Sequence, residues 1–124
     1  MTKPEPALLE QRVGALRSFL KREPGDETAW YGLGRALLDL GHPGEAVSAF
    51  RQALAAKPDY TAAQRELGLG LLAEGESVAA AETFRAGIAM AEKTGDLQTG
   101  REMAVFLRRA LRAAGVKSDP PTRS

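Results

Sequence analysis

The feature that most constrains this chain is a repeat with a period of 34 residues. Comparison of residues 27–60 with residues 61–94 finds ten identical positions, most of them small or apolar. They are Ala29/Ala63, Leu33/Leu67, Gly34/Gly68, Leu37/Leu71, Leu38/Leu72, Gly41/Gly75, Ala46/Ala80, Phe50/Phe84, Arg51/Arg85 and Ala55/Ala89. In each unit the apolar residues fall at helical spacing on both sides of Gly41 or Gly75, where a helix must stop and turn. The repeat therefore predicts two stacked helical hairpins.

The flanks carry apolar residues at the same helical spacing, so two further helices are expected to cover the open ends of the stack. The predicted elements are an N-terminal half-repeat helix at 5–22, repeat 1 at 27–60, repeat 2 at 61–94 and a C-terminal capping helix at 96–114. Together they make a single domain over residues 1–115. The stretch 116–124 has two prolines and no periodicity, which predicts a flexible tail.

The residues of repeat 1 resemble the tetratricopeptide repeat (TPR) in type and spacing. The residues that carry the resemblance are Trp30, Leu33, Gly34, Ala46, Phe50, Ala53 and Pro58. Leu37 departs from it, because the family usually has tyrosine there. Repeat 2 is more degenerate, with Gln64 in place of the tryptophan and Glu92 in place of the closing proline. The resemblance implies an all-α, right-handed superhelix of antiparallel helix hairpins, with about six helices in this chain.

In that family the first helix of each hairpin lines a concave groove. Carried over position by position, the groove residues are Thr28, Tyr31, Arg35, Leu38 and Asp39 in repeat 1, Arg65, Leu69 and Leu72 in repeat 2, and Met103 and Phe106 in the capping helix. The resemblance implies a non-catalytic protein–protein interaction module, an adaptor or scaffold, that binds a peptide or helix segment of a partner. The alternative for Leu38, Leu69 and Leu72 is packing between neighbouring helices.

Some members of the family hold the carboxylate of a chaperone tail with a clamp of lysine and asparagine. The corresponding positions in this chain are Tyr31, Arg35 and Glu66. Because the lysine and both asparagines are missing, the resemblance implies a different partner.

Charge is balanced over the whole chain but not along it. Lys and Arg number 17 and Asp and Glu 16, a net charge of +1, which argues against a protein that coats DNA or an anionic membrane. The predicted last helix nevertheless carries a basic patch of Arg101, Arg108, Arg109 and Arg112. That patch is either a solvated helix face or a site for an acidic partner or RNA. The patch has no run of aromatic residues alternating with the arginines that would suggest base stacking, which disfavours nucleic acid. A further alternative is self-association into a homodimer through an open end of the stack.

Candidate catalytic residues are scarce. The chain has no cysteine and one histidine, His42, which lies in a predicted turn without an acid or serine partner at a suitable spacing. Gly32 and Gly34 fall inside a predicted helix that no strand precedes, so they are not a dinucleotide loop. We therefore expect no enzymatic activity, no cofactor and no metal. No targeting segment or apolar run of membrane length is visible, which predicts a cytoplasmic protein without membrane insertion.

Overall fold

A computed structural model describes residues 4–116, and within that range the chain is helical throughout with no strand. The helices are α1 (Pro6–Arg22), α2 (Glu27–Asp39), α3 (Pro43–Ala56), α4 (Thr61–Ala73), α5 (Ser77–Thr94) and α6 (Leu97–Ala113). The predicted all-α class with about six helices is therefore confirmed. The tail predicted at 116–124 lies outside the described residues, except for Val116.

Glycines end four of the helices. The residues directly beyond α2, α4, α5 and α6 include Gly41, Gly75, Gly95 and Gly115, whose φ angles lie between 78° and 83°. An L-amino acid with a side chain rarely adopts this left-handed conformation. After α2 the backbone N–H of His42 donates to the carbonyl oxygen of Leu37 at 2.9 Å, the hydrogen bond of a Schellman turn. Gly41 and Gly75 therefore reverse the chain between the two helices of each hairpin.

The helices stack in two rows. Each helix contacts the next along the chain, and α2 contacts α4, which in turn contacts α6. Within residues 4–116 the backbones of α1 and α3, and those of α3 and α5, do not approach each other in this way. The helices α2, α4 and α6 therefore form an inner row, and α1, α3 and α5 form an outer row.

Each hairpin closes on a buried phenylalanine. Phe50 in α3 and Phe84 in α5 are both completely buried. Gly34 in α2 faces Phe50 so closely that a β-carbon at Gly34 would lie 2.5 Å from the ring. Gly68 in α4 lies against Phe84 in the same way. The glycines are thus required by the close approach of helix backbone to aromatic ring, which explains why both recur in the repeat.

The attachment of α1 is the thinnest in the stack, because the backbone of α1 comes close to that of α2 alone among the described helices. A cleft between α1 and α3, distinct from the predicted binding groove, has a volume of about 620 Å³ and is lined in part by Trp30 and Leu33. The Trp30 indole N–H donates to the carbonyl oxygen of Pro24 at 2.7 Å. An exposed ion pair between Arg17 of α1 and Glu45 of α3, at 3.2 Å, bridges this cleft. An exposed pair of this kind stabilises a protein by less than about 1 kcal/mol.

Candidate functional site

The helices α2 and α4 present equivalent residues on the inner face of the stack. Asp26 is the residue before α2, and Tyr60 is the residue before α4. Seven residues beyond them, Leu33 and Leu67 are buried with 4% and 5% of their surfaces exposed. The two inner helices therefore share one register: residues at the same number of positions after the residue that precedes each helix are largely buried or exposed alike.

The eight groove residues predicted in α2 and α4 all retain contact with solvent. Thr28 and Arg35 are exposed, and the others are half-buried, namely Tyr31, Leu38, Asp39, Arg65, Leu69 and Leu72. Half-burial fits both interpretations of Leu38, Leu69 and Leu72, because each of these leucines packs against the core while part of its surface stays open. The polar members come together through the contacts described next.

An aromatic pair joins the first two inner helices. The rings of Tyr31 in α2 and Tyr60, just before α4, stack with centroids 5.2 Å apart. Arg35 lies one turn beyond Tyr31 and donates a hydrogen bond of 3.3 Å to its hydroxyl oxygen, while the Lys57 ammonium lies 5.1 Å from the centre of the Tyr60 ring. Burial and the neighbouring Tyr31 and Glu27 raise the pKa of Tyr60. Tyr60 was not among the predicted groove residues, since it precedes the helix that holds the family's groove positions.

A row of ion pairs continues from the aromatic pair across all three inner helices. Glu66 is a buried carboxylate, 6% exposed, and lies 3.7 Å from Arg35 and 3.0 Å from Arg65. Arg65 in turn contacts Glu102 in α6 at 2.6 Å. Burial lowers the pKa of Arg65, but Glu102 and Glu66 outweigh it and raise the pKa overall. Both arginines predicted for the groove in α2 and α4 are therefore paired with carboxylates of the chain itself, Arg65 closely and Arg35 at a longer distance that leaves it exposed.

The third inner helix starts two residues later than the repeat predicts. Asp26 and Tyr60 are 34 residues apart, whereas Tyr60 and Asp96, the residue before α6, are 36 apart. The cause is α5, which has 18 residues where α3 has 14. With Glu92 in place of the closing proline, α5 continues to Thr94 before Gly95 ends it.

This shift moves the groove face of α6 by two residues. Met103 lies seven residues beyond Asp96, the place of Leu33 and Leu67, and is completely buried. The prediction of Met103 as a groove residue is therefore corrected, because its side chain belongs to the core. Phe106 is half-buried and lies against Phe84 with ring centroids 5.8 Å apart, so it too packs between helices.

The residues of α6 that do share the register of the groove are largely the arginines of the basic patch. Counted from Asp96, the equivalents of Tyr31, Arg35, Leu38 and Asp39 are Arg101, Val105, Arg108 and Arg109. Arg112 follows Arg108 by one helical turn, and all four arginines are exposed. The basic patch of α6 thus occupies positions equivalent to those of the predicted groove residues of α2.

Other chemistry has little support in the described part of the chain. His42 is exposed at the start of α3. No group of three or more His, Asp or Glu side chains within residues 4–116 is arranged to hold a metal ion. The helices of that range also include none with the length and apolar character needed to cross a bilayer.

The residue before α6 makes stability depend on pH. The Asp96 carboxylate accepts hydrogen bonds from the Thr61 hydroxyl and from the Thr99 backbone N–H, and these bonds hold the pKa of Asp96 below its ordinary value of 3.8. A lowered native pKa stabilises the fold fully above 3.8, and this gain is lost as pH falls through the native pKa. We expect Asp96→Ala to lower the free energy of unfolding by about 1 kcal/mol at neutral pH and by less at an acidic pH below 3.8.

Urea unfolding followed by circular dichroism at both pH values measures this difference. Asp96→Asn is the matched control, because it keeps a hydrogen-bond acceptor before α6 and removes the titration. A difference between the wild type and Asp96→Ala that is the same at neutral and acidic pH would show that the charge of Asp96 contributes nothing.

Sequence comparisons place this arrangement among repeat proteins. The family model described as tetratricopeptide repeat matches residues 13–41 and 31–94. The chain is 35% identical over 101 residues to a TPR repeat-containing protein of Pseudomonas aeruginosa, an alignment that covers 82% of this chain and 96% of that protein. It is also 31% identical over 80 residues to the peroxisomal targeting signal receptor of Kluyveromyces lactis, covering 64% of this chain but only 14% of the receptor.

Solved structures share the fold over most of the chain. The TPR2B domain of yeast Sti1, solved as a pHsp70 complex, superposes with a TM-score of 0.80 at 22% identity and covers 86% of this chain and 85% of its own. The solution structure of a Bordetella parapertussis protein superposes with a TM-score of 0.71 at 29% identity, covering 81% and 87%. The two-row stack of helices described above is thus a known architecture.

Proposed function

Because the chain belongs to the tetratricopeptide-repeat family, we propose that it is a non-catalytic protein–protein interaction module that binds a peptide or helical segment of a partner on its inner face. The observation that carries this proposal is the continuous row of aromatic and charged side chains across α2, α4 and α6. Half-buried leucines beside the row, Leu69 and Leu72, provide places for apolar anchors of the partner.

Two of the similar proteins are described by what they bind. The Sti1 domain was solved as a complex with pHsp70, and the Kluyveromyces lactis protein is a receptor for a targeting signal. Both descriptions support recognition of another polypeptide as the class of function. An adaptor or scaffold role follows if the partner segment belongs to a larger assembly.

The proposal predicts that variants of the inner face lose the partner. The wild-type chain is immobilised, partners from a cell lysate are identified by mass spectrometry, and a synthetic segment of the partner is then titrated calorimetrically. We expect Arg35→Gln to weaken binding about tenfold and Tyr31→Ala about thirtyfold or more, since aromatic anchors contribute about 2 kcal/mol or more to an interface.

The controls are Arg51→Gln and Arg85→Gln, two exposed arginines on the outer helices α3 and α5. Neither should change the affinity. Tyr31 also packs 6.0 Å from Phe50, so thermal unfolding of Tyr31→Ala must be followed in parallel. Arg35 is exposed but pairs with the buried Glu66, so thermal unfolding of Arg35→Gln is followed as well. Unchanged affinity in Arg35→Gln and Tyr31→Ala together would rule out the inner face as the binding site.

A further inference from the structure

Formal charge rises steadily along the inner row. The helix α2 has one arginine and two acids, a charge of −1, and α4 has one arginine and one acid, a charge of zero. The helix α6 has four arginines and one acid, a charge of +3. A partner that lies across the three inner helices therefore meets little net charge at α2 and α4 and a strongly basic surface at α6.

The arginines of α6 also differ from the others in their surroundings. Arg35 and Arg65 form ion pairs with Glu66 and Glu102 within the fold. Within residues 4–116 no carboxylate lies within 4.0 Å of the guanidinium groups of α6. Guanidinium groups that are exposed and not occupied by an internal carboxylate can form paired hydrogen bonds with the carboxylates of a partner.

We propose that the partner segment carries a cluster of acidic side chains where it runs along α6, and that Arg101, Arg108, Arg109 and Arg112 bind them. This proposal rests on the inner-face function proposed above. Arg101 and Arg112 are eleven residues apart on the helix, which corresponds to about 17 Å along its axis. A segment of about five extended residues covers that distance. The recognised element is thus a short internal run of aspartates or glutamates adjoining apolar anchors.

Carboxylates fit this face better than RNA or a membrane. The side chains interleaved with the arginines offer no exposed aromatic ring for base stacking, since Phe106 is half-buried beneath the Arg109 guanidinium, 5.2 Å away. The apolar side of α6 packs into the core, where Met103 and Leu111 are buried. Only Val105 and Leu97 remain as exposed large apolar residues on this helix, too few for insertion into a bilayer.

The test uses the full chain and a labelled, C-terminally amidated peptide of about twelve residues in which about five glutamates follow leucine anchors. Its counterpart has glutamine for every glutamate. Fluorescence anisotropy at low and physiological salt measures both affinities. We expect the acidic peptide to bind about tenfold more tightly than its counterpart, and Arg101→Gln/Arg108→Gln/Arg109→Gln to abolish that preference.

The matched control is Arg12→Gln/Arg51→Gln/Arg85→Gln, which removes the same charge from exposed positions on the outer helices and should keep the preference. Equal losses in both triple variants, no preference for glutamate, or binding that requires a free C-terminal carboxylate would each overturn the proposal. So would tighter binding of a single-stranded RNA or of anionic vesicles that depends on the same three arginines.

The two proposals fail in different ways. Suppose that the affinity for the acidic peptide falls when the arginines of α6 are replaced but is unchanged in Arg35→Gln and Tyr31→Ala. Acid recognition by α6 then stands, and binding along the whole inner face is refuted. If Arg35→Gln and Tyr31→Ala weaken both peptides and glutamate gives no advantage, then inner-face binding stands and acid recognition is refuted.

Discussion

Phe50→Ala is expected to lower the free energy of unfolding by about 3–5 kcal/mol, because the ring is completely buried and alanine leaves a cavity between α2 and α3. A small domain is stable by about 5–15 kcal/mol in total, so much of the population should unfold at moderate temperature. Urea unfolding monitored by circular dichroism measures the loss. Phe106→Ala is the comparison, since its ring is only half-buried and its removal should cost clearly less. Equal losses of unfolding free energy in the two variants would contradict the claim that burial of the Phe50 ring stabilises the fold more than that of Phe106.

Gly34→Ala should destabilise the chain by about 1–3 kcal/mol, although alanine is ordinarily the better residue inside a helix. The added β-carbon would lie 2.5 Å from the Phe50 ring, which is completely buried. Gly14→Ala is the matched control, because a β-carbon at Gly14 in α1 meets nothing within 4 Å. It should stabilise the chain by about 0.5–1 kcal/mol.

A double substitution separates a steric effect from an effect on the helix backbone. In a Phe50→Leu background the ring is gone, so Gly34→Ala should become neutral or stabilising. Both comparisons are made by thermal or urea unfolding of the four proteins in the cycle. If Gly34→Ala costs the same with leucine as with phenylalanine at residue 50, the close approach of helix and ring is not the reason for the glycine.

The number and order of the helices could be predicted from the sequence because the signals are local. Gly41 and Gly75 mark turns that only glycine makes easily, and their spacing fixes the period. Small residues facing large ones, such as Gly34 and Phe50, fix how the helices of a hairpin meet. These features need no knowledge of distant contacts.

The face of α6 could not be predicted in the same way, because its register depends on where α5 ends. A strict period of 34 residues placed Met103 in the groove, whereas α5 is longer than α3 and moves the face by two residues. One signal was present in the sequence. Asp96 followed by Thr99 has the spacing of Asp26 and Ala29, and in both cases the aspartate accepts a hydrogen bond from the N–H three residues on.

The ion pairs of the inner face were beyond prediction for another reason. Glu66 and Glu102 occupy equivalent places in α4 and α6, but the repeat pattern does not distinguish a buried carboxylate from a solvated one. Only the packed structure brings Arg65 between them. The charge available on the surface thus depends on which arginines form ion pairs with carboxylates of the same chain.

The weak attachment of α1 has a practical consequence. Trp30 is the only tryptophan of the chain and lines the cleft between α1 and α3. Its fluorescence therefore senses the N-terminal end of the stack, whereas circular dichroism averages over all helices. In an array where each unit depends mainly on its neighbours, a native emission spectrum says little about α6, and the two optical signals together can reveal whether the ends fray separately.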